Sequence, residues 1–225
     1  MITRGLQQHS DAAAIEARPE AATLFYRPGI DPHGLAHDPF TSLIVPRPVG
    51  WITTVGADGL VNLAPYSFFN AVVRSPPVVA FAANGLTRGG EQKDTIQHLR
   101  RHGEFVVNIA TVALCDPMVT TARELPAMTS EVTAAGLSLL PGRVVSVPRI
   151  AESPAHLECR LHAIQELPGP AGRNWLVIGH VVGIHIRHEL FTDGRVDLAK
   201  MQPLARLGYL DYGTIADIWE MRVND

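Results

Sequence analysis

The chain has 225 residues, of which 46% are hydrophobic, and a formal net charge of −3. Its length and apolar content allow a sizeable core and exclude a mostly disordered protein. The charge balance lacks the basic excess typical of nucleic-acid binding, and no apolar run is long enough to cross a bilayer, so we expect no nucleic-acid or membrane partner.

Residues 1–22 are polar and alanine-rich, and we expect a mobile tail ahead of a single domain over residues 23–225. The start, MITRGLQQHSDAAAIEARPE, lacks the apolar segment of a secretory signal, so we expect a cytoplasmic protein. Further on, Arg47 stands between two prolines. It is either a surface charge on an extended segment or a residue near a ligand or a subunit contact.

A β-hairpin is predicted over residues 49–65. VGWITTV is rich in β-branched and aromatic residues, GADG supplies the turn, and LVNLA resumes the strand until Pro65 ends it. Polar side chains then stand beside Phe68 and Phe69, where a flat, partly polar ligand could lie. They belong to Asn62, Tyr66, Ser67 and Asn70.

A short helix is predicted over residues 93–103, after a buried strand at 78–83. Asp94 is expected as the N-cap with Gln97 three residues later, and Gly103 as the residue that ends the helix. The N–H groups and dipole of such an N-terminus can hold a phosphate, and Lys93 adds a positive charge there.

The second half of the chain alternates strands and short helices. We predict strands at 104–110, 156–164 and 175–186. Polar and apolar residues alternate over 156–164, so we expect that strand to be half-exposed. We predict a helix at 111–124, with Leu114, Met118 and Val119 inward and with Pro117 implying a late start or a kink, and a second helix at 129–136. This spacing favours a closed Greek-key barrel over a parallel sheet.

The sequence lacks the motifs of several common kinds of enzyme. There is no GxSxG nucleophile elbow and no GxGxxG dinucleotide loop. His98 and His102 stand at i and i+4 without an HExxH glutamate, so they predict a solvated helix face, and no metal site is expected. Cys115 and Cys159 are expected as buried thiols.

Five sequence blocks follow one another along the chain: PRPVGWITT, VNLAPYSFFNA, SPPVVAF, KDT and GEFVVNIAT. Together, and in this order, they resemble the flavin reductase-like family, with its FMN-binding split barrel and flavoredoxin-like flavoproteins. The resemblance covers about residues 24–212. It implies a mainly β fold, a six-stranded Greek-key split β-barrel with short inserted helices, that binds FMN.

The resemblance also implies a set of cofactor-binding residues. Trp51, Thr53 and Thr54 should border the isoalloxazine and ribityl chain, with Phe68 beside them, although Trp51 and Phe68 have packing as an alternative. The polar edge of the ring should meet Asn62, Ala64, Pro65 and Ser67. Asn84 should touch the ribityl chain or the phosphate, and Lys93, Asp94 and Thr95 should bind the phosphate. His180 is a weaker candidate for contact with the nicotinamide or the flavin.

Three functions remain open at this level. The first is an FMN-dependent oxidoreductase that takes hydride from NADH or NADPH and reduces a flavin or another acceptor. The second is an FMN-binding electron carrier without direct NAD(P)H oxidation, and the third is a barrel without cofactor that serves as an interaction module. The retained KDT and NLAP blocks argue against the third.

A homodimer is also expected, since barrels in this family usually pair. Apolar residues outside the barrel blocks, namely Phe25, Tyr26, Trp219 and Met221, would gain roughly 1.5–3 kcal/mol each from full burial. They either pack on a second subunit or fold back over their own barrel.

Overall fold

A computed structural model describes residues 23–125, 129–169 and 172–221. The described residues form two compact units, which meet in the sequence between Asp38 and Pro39. In the first, an ion pair of 2.7 Å between Arg27 and Asp31 closes a turn. The tail predicted at residues 1–22 lies outside the described residues, so its boundary with the domain stays a prediction.

The second unit is mainly β. Its strands are β1 (Arg47–Pro48), β2 (Gly50–Val55), β3 (Val61–Tyr66), β4 (Phe69–Arg74), β5 (Pro77–Asn84), β6 (Glu104–Ile109), β7 (Leu139–Leu140), β8 (Arg149–Ile150), β9 (Ala155–Gly169), β10 (Gly172–Ile186), β11 (Phe191–Thr192), β12 (Arg195–Val196), β13 (Leu204–Arg206) and β14 (Tyr212–Thr214). Its helices are α1 (Phe40–Leu43), α2 (Asp94–His102), α3 (Cys115–Thr120), α4 (Glu131–Ala134) and α5 (Leu198–Met201), with 3₁₀ turns at Val112–Leu114 and His188–Leu190. None of the described helices is long and apolar enough to cross a membrane.

Seven strands form one antiparallel sheet in the order β3-β2-β6-β9-β10-β5-β4. The strands at its two edges, β3 and β4, are separated in the chain only by Ser67 and Phe68. Three peptide units span at most about 11 Å, so the sheet must curl until the end of β3 lies close to the start of β4. A hydrogen bond of 2.8 Å from Ala82 N–H to the Phe68 carbonyl holds this junction. The result is the predicted split barrel with short helices, with seven rather than six strands in its main sheet.

Two apolar clusters lie on opposite faces of the β2–β3 hairpin. The first contains Ile52, Phe81, Phe105 and Trp175, all fully buried, and six strands of the main sheet contribute to it. It therefore fills the inside of the barrel, and α2 packs on it through Ile96 and Leu99. The second contains Trp51, Leu63, Leu114, Met118, Val132 and Ile150 and is covered by α3 and α4.

Three sequence expectations are corrected. Pro65 does not end β3 but lies within it, opposite Trp51, which a proline can do because β3 is an edge strand. The helix expected at 111–124 is shorter than predicted: a 3₁₀ turn comes first, α3 starts late, as Pro117 implied, and it ends at Thr120. Leu114 and Met118 are buried as expected, but Val119 is 36% exposed.

The polar face of β9 is not solvated at its start. His156 and Glu158 are buried, because residues 143–147 cover that face of the strand. The Glu158 carboxylate accepts hydrogen bonds from the N–H groups of Arg143, Val144 and Val145 at 2.6–2.9 Å, and His185 Nε2 lies 2.5 Å from it. A buried charge with four partners anchors the covering loop to the barrel.

The partners of Glu158 also determine when it is charged. Burial raises the pKa of the carboxyl, but the Arg143 N–H, the His185 ring and the two valine N–H groups together lower it to about 2. The pKa of Glu158 in the folded protein is thus below its ordinary value of 4.5. The ionised carboxylate therefore stabilises the fold fully above pH 4.5, and this stabilisation is lost as pH falls towards 2.

We predict that Glu158→Gln destabilises the fold by on the order of 2 kcal/mol at neutral pH, because a neutral amide cannot accept all of these hydrogen bonds. Urea unfolding measures the difference, which should shrink as pH falls from 4.5 towards 2, because the Glu158 carboxyl is then protonated in the unfolded chain but not in the folded one. Glu166→Gln is the control. Its carboxylate forms a surface ion pair of 2.6 Å with Arg173, so its loss should cost clearly less than the loss of the Glu158 carboxylate. Equal losses for the two variants would contradict the role given to Glu158.

Candidate functional site

The β2–β3 hairpin divides the predicted site residues between two faces. Thr54 pairs with Asn62 and Ile52 with Ala64, so these side chains share the face that carries α2. Trp51 pairs with Pro65 and Thr53 with Leu63, which puts them on the opposite face. Because side chains alternate along a strand, the run WITT cannot present all of its side chains to one ligand.

A polar network lies on the face shared with α2. Asn62 Nδ2 donates to Thr54 Oγ1 at 3.2 Å and to Thr95 Oγ1 at 3.0 Å, and Tyr66 donates its hydroxyl to Thr95 Oγ1 at 2.8 Å. His98 Nδ1 lies 3.1 Å from Thr54 Oγ1. The structure thus brings three of the predicted residues, Thr54, Asn62 and Thr95, into direct contact.

Two members of this network were missed as site residues. His98 was expected on a solvated helix face, but its ring is half-buried, and burial lowers its pKa against the opposing effect of Asp94 and Asp58. A Cβ at Gly56 would come within 3.1 Å of His98 Nε2, so glycine there leaves room for the ring. His98 follows Thr95 by three residues, and this helical spacing is the signal that could have linked them.

Tyr66 was noted as a polar neighbour but was not placed in the site. Its ring is buried between Phe81 and the network. Burial raises the pKa of Tyr66 to about 12, against the opposing hydrogen bond with Thr95. The phenol therefore stays protonated and serves as a donor that fixes the Thr95 hydroxyl.

The N-terminus of α2 lies beside this network. Asp94 is the first helical residue and is exposed, so the expectation that it caps the helix is wrong. Lys93 occupies the N-cap position, and no side chain caps the helix there. Gly103 ends the helix as expected, with φ of 67°. An uncapped N-terminus presents N–H groups and the positive end of the helix dipole.

Lys93 adds a full charge to this N-terminus. Its side chain is half-buried, and burial lowers its pKa while Glu124 opposes the shift. A partly desolvated ammonium beside free helical N–H groups suits a phosphate, since an anion restores the interactions that burial removes. The residues at this place therefore fit the phosphate of a flavin mononucleotide.

The opposite face of the hairpin is used for packing. Trp51 is fully buried and its Nε1–H donates to Thr121 Oγ1 at 2.9 Å. Thr53 is also fully buried and donates its hydroxyl to the Pro148 carbonyl at 2.7 Å. Both side chains thus have their polar atoms hydrogen-bonded within the chain. For Trp51 this matches the alternative role given above, in which the side chain packs in the core.

Phe68 lies at the barrel junction, 39% exposed, with the Arg47 guanidinium 5.5 Å from its ring centre. Arg47 itself is buried and donates to the carbonyls of Ile44 and Leu207 at 2.8 Å, and to that of Thr41. The reading of Arg47 as a surface charge is therefore wrong. Its role near a ligand or subunit contact stays a prediction.

The other predicted residues are more dispersed. Ala64, Pro65 and Ser67 are partly buried along β3 and just after it. Asn84 is exposed at the end of β5, opposite Asn174. His180 lies on β10, where its Nε2 is 3.2 Å from Nδ1 of His162 on β9. No cluster of three or more potential metal ligands occurs among the residues described.

We predict that Thr95→Val destabilises the protein by about 1–3 kcal/mol, because it leaves the Tyr66 hydroxyl and the Asn62 amide without their shared acceptor. Thr95→Ser keeps the hydroxyl and loses only a methyl group, worth roughly 0.8 kcal/mol. Denaturant unfolding of both variants checks this. A serine variant as unstable as the valine variant would show that the methyl group, not the hydroxyl, matters at this position.

Solved structures of known proteins share this fold and part of this sequence. The structure resembles nitrilotriacetate monooxygenase component B from Bacillus cereus, with 32% identity and a TM-score of 0.82 over 90% of this chain and 100% of that chain. It also resembles 2-nitrobenzoate 2-nitroreductase from Pseudomonas fluorescens, with 30% identity and a TM-score of 0.72 over 82% and 88% of the two chains.

The fold is shared more widely. A putative flavin reductase with a split barrel domain from Shewanella frigidimarina is 21% identical, with a TM-score of 0.72 over 82% of this chain and 90% of that one. The sequence model of the flavin reductase like domain matches residues 42–205, which include both faces of the hairpin, the polar network and the N-terminus of α2. The chain therefore belongs to the flavin reductase-like family, whose members indicate a flavin-related oxidoreductase.

Proposed function

We propose that this protein is a cytoplasmic FMN-binding oxidoreductase that takes hydride from NADH or NADPH and passes electrons to a flavin or another acceptor. The observation that carries the proposal is Lys93 at the uncapped N-terminus of α2, beside the network of Thr54, Asn62 and Thr95. One phosphate-sized cationic site suits FMN, because FAD would require a place for a second phosphate and an adenosine.

The side chains of this site bind and orient. Lys93 and the N–H groups at the start of α2 hold the phosphate. Asn62, which is partly exposed, offers its amide to the rest of the cofactor, and the buried hydroxyls of Thr54 and Thr95 keep that amide in place. His98 in turn contacts Thr54, and Tyr66 contacts Thr95. The flavin, when bound, supplies the acceptance and release of hydride, so the protein needs no acid–base residue of its own for that chemistry.

The names of similar proteins support a redox function. One is a component of a monooxygenase and another is a nitroreductase, and both are at least 30% identical to this chain. The choice between NAD(P)H-dependent reductase and electron carrier requires a direct test. Purified protein with FMN should lose its flavin absorbance when NADH or NADPH is added without oxygen. Bleaching by dithionite alone would favour the electron carrier instead.

We further propose a homodimer. β4 is an edge strand, and along it Val72 is 59% and Val73 45% exposed. An apolar, unpaired edge is a surface that a second copy can cover. Trp219 and Met221 are 74% and 83% exposed, which argues against their folding back over the barrel. Two-fold pairing is the commonest closed arrangement of identical chains.

We predict that Lys93→Met weakens FMN binding about tenfold to a hundredfold, because a charge-assisted contact to phosphate contributes roughly 1.5–3 kcal/mol. Titration of the purified protein, followed by flavin fluorescence, measures the dissociation constant. Riboflavin, which lacks the phosphate, should bind both proteins equally. Lys200→Met, at the exposed second lysine of the chain, is the matched control. An equal loss for riboflavin would show that Lys93 does not contact the phosphate.

We predict that the wild-type protein has twice the mass of one chain by light scattering at micromolar concentration, and that Val72→Arg shifts it towards the monomer. An unpaired arginine at the centre of an apolar contact must lose its hydration. Val196→Arg, an exposed valine on the separate β11–β12 hairpin, should leave the mass unchanged. A wild-type protein with the mass of one chain would contradict the proposal of a homodimer.

A further inference from the structure

A cleft of about 470 Å³ lies where β9 begins and β10 ends, away in sequence from the residues of the candidate flavin site. We call it the arginine cleft. It is lined by three arginines, three histidines and several apolar residues. The cationic and imidazole groups are Arg143, Arg149, Arg187, His156, His185 and His188. Its volume is within the range of small-molecule sites.

The positive charge in this cleft is largely uncompensated. Arg149 Nε donates to the Pro141 carbonyl at 3.3 Å, and one terminal nitrogen of Arg187 donates to the carbonyls of Ala151 and Glu152 at 2.7 and 3.1 Å. Backbone carbonyls hold a guanidinium in place without neutralising it. Glu189 is the carboxylate that pairs with Arg187, at 3.6 Å, and it is 70% exposed, so solvent weakens this pair.

The carboxylate of Glu158 does not cancel the charge of these arginines either. Glu158 is fully buried behind the cleft wall and is already paired with three backbone N–H groups and the His185 ring. His185 therefore lines the cleft with its Nε2 committed to Glu158. The arginine side chains keep N–H donors for a further partner.

His156 gives a second, independent indication of a ligand. Its ring is 2% exposed and lines the cleft, and its Nε2–H donates to the Ile150 carbonyl at 2.8 Å. Its Nδ1 is buried without a hydrogen-bond partner among the described residues. Burial, more than Arg149, His185 and Arg187, lowers the pKa of His156 to about 4. Because the ring is neutral and Nε2 carries its proton, Nδ1 is an acceptor, which an ordered water or a donor group of a ligand, and not a carboxylate oxygen, would complete.

We propose that the arginine cleft binds a small organic carboxylate. The guanidinium groups of Arg149 and Arg187 take the carboxylate, since their planar pairs of N–H groups match its two oxygens. Leu140, Ile184 and Ile186 also line the cleft and contact the apolar body of the ligand. This assignment does not depend on the flavin site, because no residue of the cleft belongs to it.

The test compares benzoate with benzamide, which has the same shape without the charge, by isothermal titration of the purified protein. We expect benzoate to bind with a dissociation constant of roughly 1 mM or below, and benzamide to bind at least about tenfold more weakly. Arg149→Gln should weaken benzoate binding about tenfold. Arg101→Gln, at the exposed C-terminal end of α2, is the matched control and should not change it.

Two further measurements keep the proposal open to refutation. Circular dichroism and FMN affinity, both expected to be unchanged in Arg149→Gln, show that the variant is folded. Ile184→Ser should weaken benzoate but not inorganic phosphate, because phosphate has no apolar body. No benzoate binding up to roughly 10 mM, equal binding of benzamide, or an Arg149→Gln variant with wild-type affinity would each overturn the proposal.

Discussion

The fold depends on the short connection between β3 and β4. Two residues join strands that lie at opposite edges of a seven-stranded sheet, so the chain cannot form this order without curling the sheet. Closure then creates one enclosed apolar cluster from strands far apart in the sequence. It also leaves β4 at an edge of the sheet with exposed valines.

The curled sheet gives the β2–β3 hairpin an inner and an outer face. On the inner face the polar network is buried only because each member has a partner, and Thr95 accepts two hydrogen bonds at once. On the outer face Trp51 and Thr53 serve the second core cluster. The site therefore arises at the point where one hairpin face, rather than a loop, meets the N-terminus of α2. A rigid strand pair positions polar groups more exactly than a flexible loop can.

The covering loop at residues 143–147 shows a different use of buried polarity. Its backbone N–H groups converge on the Glu158 carboxylate, which the His185 ring also contacts. With this charge satisfied internally, the neighbouring arginines are left with backbone partners and an exposed pair to Glu189. One fully paired carboxylate thus allows a cluster of cations to stay unneutralised at the surface beside it.

The sequence by itself determined the type and order of most elements. Alternation and β-branched runs located the hairpin, the buried strand β5 and the long strand β10, and Gly103 marked the end of α2, because these signals depend on neighbours in the chain. The blocks at 46–70 and 93–95 likewise directed attention to the β2–β3 hairpin and the start of α2, which the structure brings together. Only the tertiary structure decided which side chains meet there. Register and closure put Thr54, Asn62 and Thr95 together with Tyr66 and His98, and they turned Trp51 and Thr53 to the other face. The same holds for Glu158, whose strand pattern predicted exposure until a loop from elsewhere in the chain covered it, since burial depends on contacts between residues far apart in sequence.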